Sequence, residues 1–172
     1  NEALFAQQIY LIVEDSGETP EPEEPEEPEV PEAPAGNEYT KTATIADGDT
    51  VLIYNASSGT VVSSNKSGYK LAGVGVTPAE DKIVTEDESV AWTVSVVDGK
   101  YTFSQGDKVL GAVKSGTYVN PSLNAADGYT TWELVSSATD STWYIKNATF
   151  PASNYGPYYL EYYSGYTVYA SN

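Results

Sequence analysis

The sequence predicts an all-β domain over most of the chain, and three observations carry that prediction. After residue 37, short alternating runs rich in Val, Ile, Thr and Tyr follow one another with no sustained helical period. Those runs are punctuated by Asp47-Gly48, Ser58-Gly59, Asp98-Gly99, Ser115-Gly116, Asp127-Gly128 and Ser164-Gly165, each able to supply the positive φ of a tight hairpin. One alternating motif occurs three times, as Val51-x-Ile53-x-Asn55, Tyr101-x-Phe103-x-Gln105 and Trp143-x-Ile145-x-Asn147. In each, two large apolar residues and an amide fall on the same face of a strand.

Taken from the start, residues 3–15, ALFAQQIYLIVED, are apolar and then stop. They are too short to fold alone, and are expected to be the last element of a preceding domain, a strand through QIYLIV, with residues 1–16 as its remnant. An isolated peptide is the alternative. Beginning inside an apolar run without Met, the chain reads as a piece of a longer protein. In residues 17–36, GETPEPEEPEEPEVPEAPAG, proline alternates with glutamate. Proline fixes φ and lacks a donor, and like charges repel, so residues 17–37 are expected to be an extended polyproline-type linker. At ~3.1 Å per residue it spans up to roughly 60 Å. It tethers two bodies, or is disordered filler.

The repeat organises the rest. WTVSVVDG (residues 92–99) leads into the second copy of the motif and WELVSSATD (132–140) into the third. Counting back from Asp47-Gly48 makes KTATIADG (41–48) the leading strand of the first copy, without a Trp. A leucine follows each copy: Leu71, Leu110 and Leu160. The units are then 39–90, 91–131 and 132–172. TPAEDKIVTEDE (77–88) breaks the alternation and is expected to be an acidic loop.

Three β-rich units of this kind resemble a β-trefoil over residues 38–172, with a β-sandwich as the alternative. The texture is most similar to ricin-type lectin modules. DGKYTFSQGDKVLG matches their "dG-x-Y-x-I-x-N" and "gk-x-L" strands, and WYIKNATF with YYLEY matches after an insertion. That resemblance implies a six-strand barrel capped by hairpins, and carbohydrate binding by an accessory domain. The Gln-x-Trp sugar motif of those lectins is absent, since Val90 and Thr130 stand two before Trp92 and Trp132. Repeated Pro-Glu spacers resemble linkers of extracellular bacterial multidomain proteins, which implies a secreted or cell-surface protein with an attached enzyme.

Composition narrows the chemistry. The formal net charge is -17, which repels phosphate backbones and anionic lipid, so nucleic acid and membrane surfaces are poor partners. No run approaches the ~18 apolar residues of a membrane span. Histidine and cysteine are absent, removing the usual neutral-pH base and the thiol nucleophile, along with any disulfide. A carboxylate pair drawn from Asp127, Glu133, Asp140 and Glu161 is conceivable for glycoside hydrolysis, but surface solvation explains them more simply. No enzyme activity or cofactor is expected, and no metal site, because the acidic turns lack regular calcium-loop spacing, with weak adventitious Ca²⁺ on Glu80 to Glu88 as the alternative. Of the sequons at Asn55, Asn65 and Asn147, the first and last hold equivalent strand ends, where a structural amide is the preferred reading.

Fifteen tyrosines against three phenylalanines remain to be explained. In PYYLEYYSGYTVY (residues 157–169), Ser164-Gly165 is expected to form a two-residue hairpin turn. If Leu160 points inward, Tyr158 and Tyr162 join it, and Tyr159, Glu161 and Tyr163 face out. With Asn154 and Tyr155 nearby, that outward strip is the candidate ligand site. Tyrosine rings stack on pyranose faces while carboxylates and amides bond hydroxyls. The same rings also fit cross-strand pairs that stiffen a thin hairpin, at ~0.2 to 1 kcal/mol each. The expected function is glycan binding by a non-catalytic module, with a structural or protein-contact module, docked for instance on the preceding domain, as the alternative.

Overall fold

The computed structural model describes residues 9–14, 35–139 and 141–171. Those residues are almost entirely strands and turns. In chain order the strands are β1 (Ile9–Glu14), β2 (Asn37–Thr42), β3 (Thr50–Asn55), β4 (Thr60–Ser67) and β5 (Lys70–Gly75). Next come β6 (Lys82–Thr85), β7 (Trp92–Val97), β8 (Lys100–Gln105), β9 (Lys108–Val109) and β10 (Gly111–Ser115). The last are β11 (Tyr118–Ser122), β12 (Trp132–Ser136), β13 (Trp143–Asn147), β14 (Tyr158–Tyr162) and β15 (Tyr166–Ala170). Two single 3-10 turns, Glu88–Val90 and Ala125–Asp127, complete the set.

Nine strands close a barrel in the order β12-β8-β7-β3-β4-β5-β15-β14-β13, with β13 pairing back to β12. Closure removes the edges on which an open sheet would aggregate. Within it the three motif strands hold equivalent places. β7 and β8 pair over Val94↔Phe103 and Val97↔Lys100, joined by Asp98 (φ 52) and Gly99 (φ 71), the two left-handed residues of the expected tight turn. β12 and β13 pair over Trp132↔Asn147 and Leu134↔Ile145, and β1 and β3 pair in the same register over Ile9↔Asn55 and Leu11↔Ile53.

The leading strand of the first repeat is therefore β1 and not KTATIADG, of which only Lys41 and Thr42 are in a strand, β2. Counting from the turn misplaced it because strand pairing here is non-local. Equivalent contacts then link the repeats, with Val51↔Trp92 between β3 and β7, Tyr101↔Trp132 between β8 and β12, and Trp143↔Ile9 between β13 and β1. The strands β1, β3, β7, β8, β12 and β13 thus form a smaller closed ring. The segment expected to end a preceding domain supplies one of its strands, with Leu11 and Ile12 buried. Residues 15–34, most of the expected linker, lie outside the described residues. The strands that flank it, β1 and β2, pair with each other, Glu14 opposite Tyr39.

Side chains from all three repeats fill the barrel, among them Val51, Ile53, Trp92, Phe103, Trp132 and Ile145. Each Trp ties its repeat to the one before: Trp92 Nε1 donates to the Val62 carbonyl and Trp132 Nε1 to the Leu110 carbonyl, both at 2.9 Å. Val62 and Leu110 are therefore the equivalent residues. Leu71, matched to Leu110 by residue type, lies instead on β5 beyond a hairpin turn, opposite Lys66. A smaller core, with Ile12, Tyr39, Leu52, Val61, Ile83 and Val90, lies between the outer barrel wall and a layer of β1, β2 and β6. The expected acidic loop 77–88 thus contains a strand, because Ile83 within KIVT is apolar enough to be buried opposite Tyr39.

The amides that end the three motif strands are structural. Asn147 Nδ2 donates to the Tyr129 carbonyl at 2.8 Å, and its Oδ1 accepts from the Phe150 amide at 2.8 Å. Asn55 Oδ1 accepts from the Ser58 amide at 2.9 Å, and Gln105 Nε2 donates to the Ala91 carbonyl at 3.1 Å.

The place of β1 is open to direct test. Leu11→Ala removes a fully buried side chain from the barrel core, and should lower the unfolding free energy by about 2–5 kcal/mol. A urea titration of the whole chain measures it, and an unchanged midpoint would put β1 outside the cooperative core.

Candidate functional site

Three hairpins, β4–β5, β10–β11 and β14–β15, one from each repeat, meet at one end of the barrel. Each turns on a Ser-Gly pair. In the first two, Ser67↔Lys70 and Ser115↔Tyr118 close two-residue loops opening on Gly68 (φ 62) and Gly116 (φ 62), backbone angles that a side chain would strain. In the third, Tyr162↔Tyr166 closes a three-residue loop, Tyr163-Ser164-Gly165. It is one residue longer than expected, with the Tyr163 amide donating to the Gly165 carbonyl at 2.8 Å. Tyr163 is therefore the first residue of the loop, outside the strand, and is exposed.

The hairpins grip one another. Tyr166 of β15 lies opposite Leu71 of β5, and its phenol donates to the Thr60 carbonyl at 2.7 Å, in a setting whose burial pushes the phenol well above the ordinary tyrosine range. A Cβ on Gly165 would come within 3.2 Å of the Leu71 carbonyl oxygen. Lys66 Nζ donates to the Pro121 carbonyl at 3.0 Å, tying the first hairpin to the second. β11 lies against β15, and Thr167 is buried.

Where they meet, a groove of about 860 Å³ opens, lined from all three hairpins. Tyr69 and Lys70 come from the first, Ser115, Thr117, Tyr118 and Asn120 from the second, and Tyr163, Thr167 and Tyr169 from the third. Ser153 and Tyr155 close one side from a tight turn in which Ser153 and Gly156 exchange backbone hydrogen bonds at 2.9 and 3.1 Å. Among the described residues the large exposed hydrophobics are Val97, Val135 and five tyrosines, at 69, 118, 155, 163 and 169. All five tyrosines line this groove. The rings that stiffen the hairpin are different ones: Tyr162 and Tyr166, packed edge to face at 5.2 Å on the core side.

The expected inward face of β14 holds, while Tyr163, expected on its outward face, lies in the loop beyond it. Leu160 is in the core with Tyr158 and Tyr162 against it, and Val168 joins them from β15. Of the candidate ligand residues, Tyr163 and Tyr155 line the groove and stand 71% and 75% exposed. Asn154 is exposed on the same turn as Tyr155 but does not line the groove. Tyr159 and Glu161 sit half-buried on the outer side of β14, opposite Tyr169 and Thr167, and their neighbours rather than they reach it. Tyr69, Lys70, Tyr118 and Tyr169 were not singled out from the sequence. Ser-Gly followed closely by Tyr marks two of them, as SGY at Tyr69 and SGTY at Tyr118, whereas the third SGY ends in Tyr166, which is buried in the core.

The remaining carboxylates do not converge. Glu133 pairs with Lys146 at 2.7 Å, which holds the lysine above its ordinary range, and Asp127 accepts from the Ser122 hydroxyl. Asp140 lies outside the described residues. A smaller hollow of about 200 Å³, against Ile12, Tyr54, Pro78 and Ile83, is partly acidic through Glu80 and Asp81. No protein-family model, curated protein or solved structure matches this chain.

Burial pushes the Glu161 carboxyl from 4.5 up to about 7. The folded state therefore holds this proton more tightly than the unfolded state, so stability falls as pH rises through that window. Glu161→Gln should remove this part of the slope and raise the melting temperature above pH 7, in melts run from about pH 4 to about pH 8. A slope left intact by the substitution would assign it to other groups.

Proposed function

We propose that this chain carries a non-catalytic carbohydrate-binding module with a β-trefoil-like fold, whose one site is the tyrosine groove at the junction of its three hairpins. The observation that carries the reading is the placement, among the described residues, of every exposed tyrosine in one concave site. A contiguous patch of exposed aromatic surface marks a site where something binds. Ring faces separated by hydroxyl and amide side chains suit a ligand with apolar C–H faces and hydroxyl rims, as a pyranose has.

The groove volume lies within the ~300–1,000 Å³ common for ligand sites. Shallow sugar sites bind at about -4 to -8 kcal/mol, the mM to μM range. The trefoil-like reading draws support from the smaller ring of six strands and from three equivalent hairpins. In this reading the missing Gln-x-Trp motif matters little, because the groove is shared by the repeats instead of repeated within each. A secreted or cell-surface, bacterial setting, with the module attached to an enzyme, follows from the resemblance of the Pro-Glu stretch to extracellular linkers.

The test is a glycan array probed with the whole chain, followed by titration of its hits. Tyr118→Ala and Tyr163→Ala should each weaken binding about three- to tenfold, and Tyr159→Ala, off the groove, should leave it unchanged. Folded protein that binds no glycan would overturn the reading in favour of a protein-contact module, for which the same tyrosines would form the interface.

A further inference from the structure

Resting on that glycan-binding reading, we infer that the groove selects acidic glycans, with Lys70 binding the carboxylate or sulfate of the sugar. Among the described residues, Lys70 is the one charged side chain lining the groove. Sites for neutral sugars rely on carboxylates as well as amides to accept from hydroxyls, and among the described residues no carboxylate lines this one.

The ammonium is also held in position. Lys70 Nζ donates to the Tyr163 carbonyl and lies 4.8 Å from the Tyr163 ring centroid and 5.4 Å from that of Tyr69. It is thus fixed between two rings by cation–π attraction and a hydrogen bond. An ammonium has three N–H donors, so two remain for a ligand. A sugar stacked on either ring would bring its acidic group to that nitrogen.

The distribution of charge agrees. Residues 60–75 and 111–126, which make the first two hairpins, contain no Asp or Glu and carry Lys66, Lys70 and Lys114. The third hairpin's one carboxyl, Glu161, is half-buried and does not line the groove. Acid is concentrated elsewhere, in Glu80, Asp81, Glu86, Asp87 and Glu88 and in the Pro-Glu stretch. In a chain of net charge -17, a groove whose described lining holds a lysine and no carboxylate opposes an anion less than the acidic run 80–88 does. An acidic, proline-rich peptide would combine charge and apolar rings in a similar way. The glycan is favoured because Ser115, Thr117, Asn120 and Ser153 place hydroxyls and an amide along the walls, matching a ligand with hydroxyls around its rim.

The experiment titrates the whole chain with matched pairs: oligogalacturonate against its methyl ester, sialyllactose against lactose, and chondroitin sulfate against desulfated chondroitin. The acidic member of at least one pair should bind about tenfold tighter, the worth of one hydrogen bond to a charged group. The preference should shrink as salt rises from about 0.05 to about 0.5 M. Lys70→Gln should abolish the preference, read as the ratio of affinities within a pair so that any loss common to both members cancels, and Lys70→Arg should restore it, each variant being checked for an unaltered near-UV spectrum. The identity of the pair separates uronate, sialate and sulfate. Equal binding within every pair, or a preference that survives Lys70→Gln, overturns the role of Lys70 while glycan binding stands. Failure to bind any of these sugars, with or without capture of a peptide of residues 17–36, overturns both readings.

Discussion

The Trp132 indole donates to the Leu110 carbonyl, and the Trp92 indole makes the same bond to Val62. Each bond runs from the leading strand of one repeat to the carbonyl that opens the outgoing hairpin of the repeat before. The hairpin cannot drift without leaving a buried carbonyl unpaired, at a cost of about 1–3 kcal/mol. The indoles thus hold the start of the first two hairpins, at Val62 and Leu110, against the core. The first repeat, whose leading strand begins at Ile9, has no such donor, and there the third hairpin is held instead by the Tyr166 phenol on the Thr60 carbonyl. A polar tip on an apolar ring does both tasks.

Division of labour among the tyrosines follows from strand alternation. On β14 and β15, Tyr158, Tyr162 and Tyr166 face the core, and Tyr169 faces out. The loop between them adds Tyr163, which belongs to neither face. Tyr69 and Tyr118 flank the other two turns. A single exposed tyrosine would be unremarkable. Five around one hollow, with a lysine between two of them, form a surface whose rings, hydroxyls and cation can act on the same ligand.

What depends on alternation and on turn chemistry was legible in the sequence. The Asp98-Gly99 turn, the core places of Trp92 and Trp132, the structural amides at Asn55 and Asn147 and the inward face of Tyr158-Leu160-Tyr162 all follow from local rules. What depends on long-range pairing was not. β1 reaches β3 across the Pro-Glu stretch, so counting from Asp47-Gly48 chose the wrong leading strand. Leu71 resembles Leu110 in type, but the pairing Lys66↔Leu71 puts it on the far side of a turn. Likewise, only two of the five candidate ligand residues, Tyr155 and Tyr163, line the groove, because its other walls come from repeats that no single hairpin can reveal.

The central claim is that one site is built jointly by the three repeats. Incorporating 3-fluorotyrosine and following the fluorine spectrum during titration with oligogalacturonate and with sialyllactose tests it most directly. The account predicts that the resonances of Tyr69, Tyr118 and Tyr163 shift together along one binding curve, while those of Tyr54 and Tyr144 stay fixed. Shifts confined to the tyrosines of one repeat, or three separate curves, would contradict it.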